Sequence, residues 1–418
     1  MPGFHYKDEL LYVDSMPVHA IAEQFGTPCY IYSQDTIVQN WTSFDSALSY
    51  CDHMVCYSVK ANPNLAILNL LANLGSGFDI VSVGELERVL AAGGDPQKIV
   101  FSGVGKRQDE IERALAVNIF CFNVESSSEL KRINNAAKQL NVVASISLRV
   151  NPNVDAKTHP HVTTGLTENK FGVDINSAKD FYTEAESLTN VKISGVDCHI
   201  GSQLTDLEPY NNAFSQISNL VDDLRKSGFH IEHINLGGGL GIKYQKDEKL
   251  PTQEQYINSI KQTINQKDCK ILVEPGRSIM GDAGILLTRI EYLKHGDHKN
   301  FAVVDAAMTE LLRPALYDSW HEILPINRQG DAKTLCYDVV GPVCESADFL
   351  GKDRQLAIRE GDLIAIFSTG AYGSSMSSSY NSRTEIAAIL VQKDKSYLVQ
   401  KRGTVEQLMQ GESILPGK

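Results

Sequence analysis

The sequence predicts an α/β protein built as a (β/α)8, TIM-like barrel with a C-terminal all-β domain, a β-sandwich or small barrel. Three observations predict it. From about residue 30 to 280, short β-rich runs alternate with amphipathic helical stretches. After about residue 280 the helical periodicity fades, and strand-like runs alternate with turns and polar loops. The length of 418 residues also exceeds what one hydrophobic core ordinarily organises, so two domains are expected.

Taken in order, the barrel strands are predicted at Met54–Ser58, Gly77–Val81, Lys98–Phe101, Ile119–Phe122, Ala144–Arg149, Ile193–His199, His233–Leu236 and Lys270–Val273. The helices between them are predicted at Asn64–Leu74, Val83–Ala92, Lys106–Ala114, Ser127–Leu140, Ala178–Leu188, Tyr210–Lys226 and Gln253–Ile264. Eight strands alternating with helices favour parallel βαβ units, most economically a closed barrel. An open doubly wound sheet is the alternative, but no Gly-x-Gly-x-x-Gly turn follows the first strand. In the second domain, strands are predicted at Gly284–Tyr292, Asn300–Val304, Thr334–Val340, Leu363–Phe367, Glu385–Val391 and Tyr397–Lys401. The first 30 residues also read as strand-like. The expected division is therefore 31–280 for the barrel, and 1–30 with 281–418 for the β domain. The one compositionally biased stretch, Ser374–Ser379, adjoins Gly370-Ala371-Tyr372-Gly373.

Composition narrows the function classes. A net charge of −12 argues against an electrostatic nucleic-acid binder. No segment approaches the roughly 20 apolar residues that span a bilayer, and the N-terminus lacks the pattern of a signal peptide. A cytoplasmic location is expected. None of the eight cysteines forms a CxxC pair or a zinc-ligand spacing, so no metal is expected.

In a (β/α)8 barrel the chemistry collects at the C-terminal ends of the strands. Lys60 lies there, in Tyr57-Ser58-Val59-Lys60-Ala61-Asn62. Taken alone it is either a solvated strand-end lysine or an amine aimed into a cleft, able to lose its proton and form a Schiff base with an aldehyde. Asp79, with Glu85 just beyond, and His199, followed by Ile200-Gly201-Ser202, occupy two more strand ends. Gly237, Gly238 and Gly239 follow another. A triple glycine is either a tight turn or a set of exposed N–H groups suited to a phosphate. Glu274-Pro275-Gly276-Arg277 follows the last strand. Glu274, leaving an apolar strand, needs a cationic partner such as a protonated ring nitrogen, and Arg277 can add a cationic fork to the phosphate. His199 is either a hydrogen-bonded core histidine or a ring lying flat against another ring. Together these residues describe a site for pyridoxal 5′-phosphate.

The chain resembles the alanine-racemase-fold (fold type III) pyridoxal phosphate enzymes, and within them the decarboxylases of basic amino acids. The matching segments are Tyr57–Asn62, Gly77–Glu85, His199–Gln203, Leu236–Gly239, Glu274–Arg277, Gly341–Ser346 and Gly370–Gly373, which span nearly the whole chain. His159–Val173, Arg313–Tyr317 and Cys344-Glu345-Ser346 are similar to the branch that acts on meso-2,6-diaminopimelate rather than to the ornithine and arginine enzymes. The resemblance implies decarboxylation of that substrate to lysine, and a homodimer with shared active sites. It implies Lys60, His199 and Cys344 as catalytic residues. Asp79, Ser202, Gly237, Gly238, Gly239, Glu274, Gly276, Arg277 and Tyr372 would bind the cofactor. Arg277, Arg313, Tyr317 and Tyr372 would bind the substrate, with Glu345 taking its distal ammonium. By the same resemblance Cys344 and Glu345 come from the other subunit, and Cys344 competes with Lys60 as the final proton donor. One departure is visible: after Tyr380-Asn381-Ser382-Arg383 the family usually continues Pro-Arg-Pro, whereas this chain has Thr384-Glu385-Ile386.

Overall fold

A computed structural model of the chain describes residues 3–155, 170–245, 247–264, 268–329 and 332–416. It divides into two compact units. One comprises Val38–Lys243 and Lys249–Ile279, the other Met1–Ile37, Tyr244–Glu248 and Met280–Lys418.

The first unit is a closed barrel of eight parallel strands: His53–Ser58, Gly77–Ile80, Ile99–Phe101, Cys121–Val124, Ala144–Asn151, Val191–Asp197, His233–Asn235 and Lys270–Val273. Each pairs with the next, and the eighth pairs with the first, so the barrel has no open edge. Closure is what excludes the open doubly wound sheet. The register sets the site: Ser58 lies opposite Asp79, and Asp197 opposite Asn235, all at the same ends of their strands. The surrounding helices bury one stripe each. Glu208–Lys226 turns Tyr210, Ala213, Phe214, Ile217, Val221 and Leu224 inward at helical spacing. Side-chain caps fix the starts: Ser82 Oγ accepts from Glu85 N, and Thr252 forms a capping box with Gln255.

Most differences from the sequence reading are boundary shifts with local causes. The helix predicted from Lys106 starts at Gln108, because Arg107 takes the N-cap position. The strand predicted at Ile119–Phe122 begins at Cys121, after the left-handed turn at Asn118 (φ 57°). Several helices escaped notice, the two longest being Gln34–Leu48, and Val18–Phe25 within the segment read as strand-like. The latter follows three short strands, Phe4–Lys7, Leu10–Val13 and Met16–Pro17.

In the second unit, Cys29–Ser33 is a central strand, antiparallel to Gly284–Lys294 and parallel to Ala387–Gln392. Its buried side chains Cys29 and Ile31 join a core with Ile285, Leu287, Ile389 and Val391. A strand missed in the sequence, Phe349–Ala357, pairs with Thr334–Val340. Gly284 and Gly370 must both be glycine: a Cβ on Gly284 would lie 2.6 Å from Gly370 Cα, and one on Gly370 would strike the Met280 carbonyl.

Candidate active site

Lys60 sits two residues past the strand His53–Ser58, in the 3-10 turn Val59–Ala61 that follows it. The turn brings its Nζ 2.7 Å from Asp79 Oδ2. Asp79 is fully buried whereas the Lys60 side chain is 39% exposed, so one end of the pair is fixed and the other accessible. Burial alone would raise the Asp79 carboxyl; the Lys60 ammonium, with hydrogen bonds from Lys60, Ser102 and Ser58, holds it below the usual range. Ser58 Oγ lies 3.0 Å from Asp79 Oδ2 and 3.1 Å from the Glu274 carbonyl oxygen, tying the first, second and last strands together.

His199 lies past the end of its strand, which stops at Asp197. Gly238 N–H donates to His199 Nδ1 at 3.2 Å, so the neutral ring carries its hydrogen on Nε2. Burial, then the Arg149 and Lys60 cations, push its pKa down to about 3, which keeps the ring neutral. A neutral imidazole with its edge fixed in this way can present a flat face to a planar ring.

The glycine loop is a cradle that side chains would fill. Gly237 and Gly239 have φ of 64° and 102°, and a Cβ on Gly238 would collide with the Glu274 carbonyl oxygen. Arg277 Nη2 donates 3.1 Å to Ser202 Oγ, which places a guanidinium and a hydroxyl together. Gly276 packs its α-carbon against Ser58 and Ala61, where a Cβ would approach to 3.0 Å.

Glu274 is buried, and Asn235 Nδ2 donates to its Oε1 at 2.6 Å. Asn235 Oδ1 accepts from Gly237 N–H at 3.0 Å, so one amide spans the carboxyl and the glycine cradle. Burial first, then Asp79 and Asp197, raise the Glu274 carboxyl well above its usual range, against Lys60 and Asn235. A carboxyl in that position gains from a cationic partner, which a protonated pyridine nitrogen would be. The residues therefore fit pyridoxal phosphate at three points: an accessible amine, a backbone phosphate cradle and a buried carboxyl.

Sequence reasoning missed Asn235, Ser58, Arg149 and Asp197. Arg149 Nη1 pairs with Glu125 at 3.2 Å, and its Nε lies 3.9 Å from Asp197. Asn235 was detectable as a polar residue inside the apolar strand Ile234-Asn235-Leu236. The others sit in strands or strand ends without a distinctive spacing.

The remaining predicted residues belong to the second unit. Arg313 is not a surface residue: it is 6% exposed, and its Nη1 donates to Tyr244 Oη and faces His321 Nε2. Tyr317 ends the helix that Arg313 begins. Cys344 and Glu345 are exposed, and Tyr380 Oη donates to Glu345 Oε1 at 2.7 Å. Asp348 fastens their loop by accepting from the N–H groups of Met308 and Val343 at 2.7 Å. Tyr372 has a φ of 56°, a conformation rare for a bulky side chain and costing of order 1–3 kcal/mol. The departure at Thr384-Glu385 follows an Arg383 that is itself anchored, to Glu310 Oε2 at 3.1 Å and the Asp305 carbonyl at 2.7 Å. Most of the segment His159–Val173 lies outside the described residues. Among the described residues no group of His, Cys, Asp and Glu could hold a metal ion, and no helix is long and apolar enough to cross a membrane.

Known proteins place the chain in context. Residues 34–281 match the family profile described as pyridoxal-dependent decarboxylase, pyridoxal binding domain. The chain is 52% identical to the diaminopimelate decarboxylase of Vibrio cholerae over 100% of both chains. It is similar to the crystal structure of diaminopimelate decarboxylase from Helicobacter pylori complexed with L-lysine: TM-score 0.91, 42% identity, covering 94% of this chain and 98% of that one. The diaminopimelate decarboxylase structure from M. jannaschii gives a TM-score of 0.95 at 38% identity, covering 99% and 98%.

Proposed function

The chain belongs to the diaminopimelate decarboxylases, a family of pyridoxal-dependent carboxy-lyases, and on that premise we propose how its residues divide the work. It converts meso-2,6-diaminopimelate to L-lysine and CO2, the last step of lysine biosynthesis. The observation that carries the division of labour is the gathering of Lys60, His199, the glycine cradle and Glu274 at one end of the barrel.

When bound, pyridoxal phosphate supplies an aldehyde that joins an amine and a ring that takes up the electron pair left by the departing carboxylate. Lys60 would offer the amine, and Asp79 holds it in place through their 2.7 Å contact. Gly237, Gly238 and Gly239 would form a wall without side chains beside the phosphate, with Ser202 and Arg277 next to it, and Gly276 and Tyr372 would complete the cofactor contacts. Glu274, whose carboxyl is raised by burial, would hold a proton toward the ring nitrogen, and the neutral His199 would face the ring. Arg277, Arg313, Tyr317 and Tyr372 take the substrate, with the carboxylate that survives in the product going to the two arginines and Tyr317.

The chain acts as a cytoplasmic homodimer. Cys344 of the partner subunit returns a proton to the carbon that has lost CO2, and Glu345 of the partner subunit holds the distal ammonium. The exposure of both residues in a single chain supports this reading. The test is CO2 release from meso-diaminopimelate and ornithine side by side. Turnover of diaminopimelate alone is expected, as is loss of turnover and of the cofactor's visible absorbance in Lys60→Ala. Full activity in Lys60→Ala would remove the lysine from its role, and preferential ornithine turnover would overturn the substrate assignment.

A further inference from the structure

Arg313 opens the helix Arg313–Tyr317 and is buried although it carries a charge. Its Nη1 donates 2.8 Å to the Tyr244 hydroxyl and lies 3.1 Å from His321 Nε2. The guanidinium sits over the Tyr244 ring, 5.0 Å from its centroid, and the Tyr244 and His321 rings meet nearly edge-on at 5.2 Å. His321 is fully buried, with Nδ1 2.8 Å from the Phe367 carbonyl oxygen. A carbonyl oxygen only accepts, so Nδ1 carries the hydrogen and Nε2 presents a lone pair. A guanidinium only donates, which selects the same neutral tautomer from the other side.

Nη1 therefore commits one hydrogen to Tyr244 and one to His321. The guanidinium's other three N–H groups belong to Nε and Nη2, the edge whose parallel N–H bonds match a carboxylate. Tyr244 and His321 fix the plane of the group without cancelling its charge. A carboxylate in place of His321 would fix it as well, but would compete electrostatically with an anionic ligand.

We propose that His321 is a positioning residue for substrate selection: a neutral acceptor, locked by Phe367, that with Tyr244 orients Arg313 toward the carboxylate retained in the product. This rests on the assignment of that carboxylate to Arg313 under Proposed function.

The test uses the holoenzyme and two competitive inhibitors, L-lysine, which keeps the carboxylate, and cadaverine, which lacks it. Arg313→Met should raise the lysine inhibition constant strongly and leave that of cadaverine in place. In His321→Gln the side-chain oxygen replaces the Nε2 acceptor, so the lysine constant should stay within about threefold of wild type. In His321→Asn the amide can keep the Phe367 bond but not reach Arg313. The lysine constant and the KM for diaminopimelate should then rise roughly tenfold, with a smaller change in kcat. Equal shifts in the Gln and Asn variants, or a cadaverine constant that moves with that of lysine, overturn the inference. If Arg313→Met leaves the lysine constant unmoved, the carboxylate assignment fails and the inference falls with it; an Arg313→Met shift without the Gln–Asn contrast sinks the inference alone. Should the His321 variants not fold, Tyr244→Phe decides. It removes one hydroxyl and should raise the lysine constant severalfold, and no change there counts against the proposal.

Discussion

Replacing Asn235 with leucine, a residue of similar volume, isolates the amide that joins the two halves of the cofactor site. The side chain is fully buried and makes two hydrogen bonds, 2.6 Å to Glu274 Oε1 and 3.0 Å from Gly237 N–H. Loss of a bond to a protonated carboxyl group costs about 0.5–1.5 kcal/mol, and an orphaned buried N–H about 1–3 kcal/mol. The two bonds share one side chain and do not add fully, so a total of about 2 kcal/mol is expected, on the order of one tenth to one half of the stability of a typical domain. At about 2.1 cal/mol/K of unfolding entropy per residue, that corresponds to a fall of roughly 2–3 °C in Tm for the whole chain. Cofactor affinity should fall as well, because Glu274 and Gly237 lose their common anchor. Asn235→Asp separates the effects, since it keeps an acceptor for Gly237 N–H but places a second carboxyl beside Glu274. At low pH one proton can bridge the two carboxyls. As pH rises that proton is lost and they repel, so cofactor affinity should be near wild type at low pH and decline as the solution becomes alkaline. Thermal unfolding and a pyridoxal phosphate absorbance titration across pH measure both. An Asn235→Leu variant with unchanged Tm and affinity, or a flat pH profile for Asn235→Asp, would refute the reasoning.

Gly238→Ala would drive a methyl group into the Glu274 carbonyl, and overpacking of this kind costs roughly 1–3 kcal/mol; absorbance titration should show cofactor affinity reduced about tenfold or more. Asp197 is raised from 3.8 to about 7, chiefly by burial. Between those values the folded state holds a proton that the unfolded state has released, so stability falls as pH rises through the window and the loss is complete above it. Asp197→Asn should therefore gain on wild type in urea unfolding as pH increases from 4 to 7, and parallel curves would contradict the burial argument. Lys60→Ala and Cys344→Ala chains, each inactive alone, should recover about a quarter of wild-type activity after subunit exchange, because half of the random dimers then hold one intact site. No recovery on mixing would argue against shared sites.

How much could be read from the sequence follows from how far each contact reaches along the chain. The barrel was legible because alternation of strand and helix repeats locally, and closure follows from the number of strands. Lys60 and Glu274 were legible because a charged residue directly after an apolar strand has few places to go except the mouth of the barrel. The Lys60–Asp79 pair was not, since it depends on the register that sets Ser58 opposite Asp79. Asn235 reaches Glu274 across 39 positions, and His321 reaches Phe367 across 46. Neither spacing has a period, so no pattern reveals either contact, although Asn235 itself stands out as a polar residue in an apolar strand. The helix Val18–Phe25 was lost because three short strands precede it and dominated the reading of that segment.

The charges at the mouth of the barrel give a reason for this particular set of side chains. Glu125, Asp79, Asp197 and Glu274 are all buried, and the cations acting on them are Arg149 and Lys60. Lys60 secures Asp79, and Arg149 leans on Glu125. Burial first, then the neighbouring carboxylates, raise Asp197 and Glu274, so both are neutralised mainly by protons. Burial, with the same two cations adding to it, holds His199 neutral, so the histidine cannot make up the difference. A neutral pyridine nitrogen brought against Glu274 would share the proton already there, and the pyridinium so formed would pair with the carboxylate left behind. Burial thus prepares Glu274 as a group that keeps a pyridine nitrogen protonated, whereas an exposed glutamate, with an ordinary pKa near 4.3, would lose its proton at neutral pH and rely on charge alone.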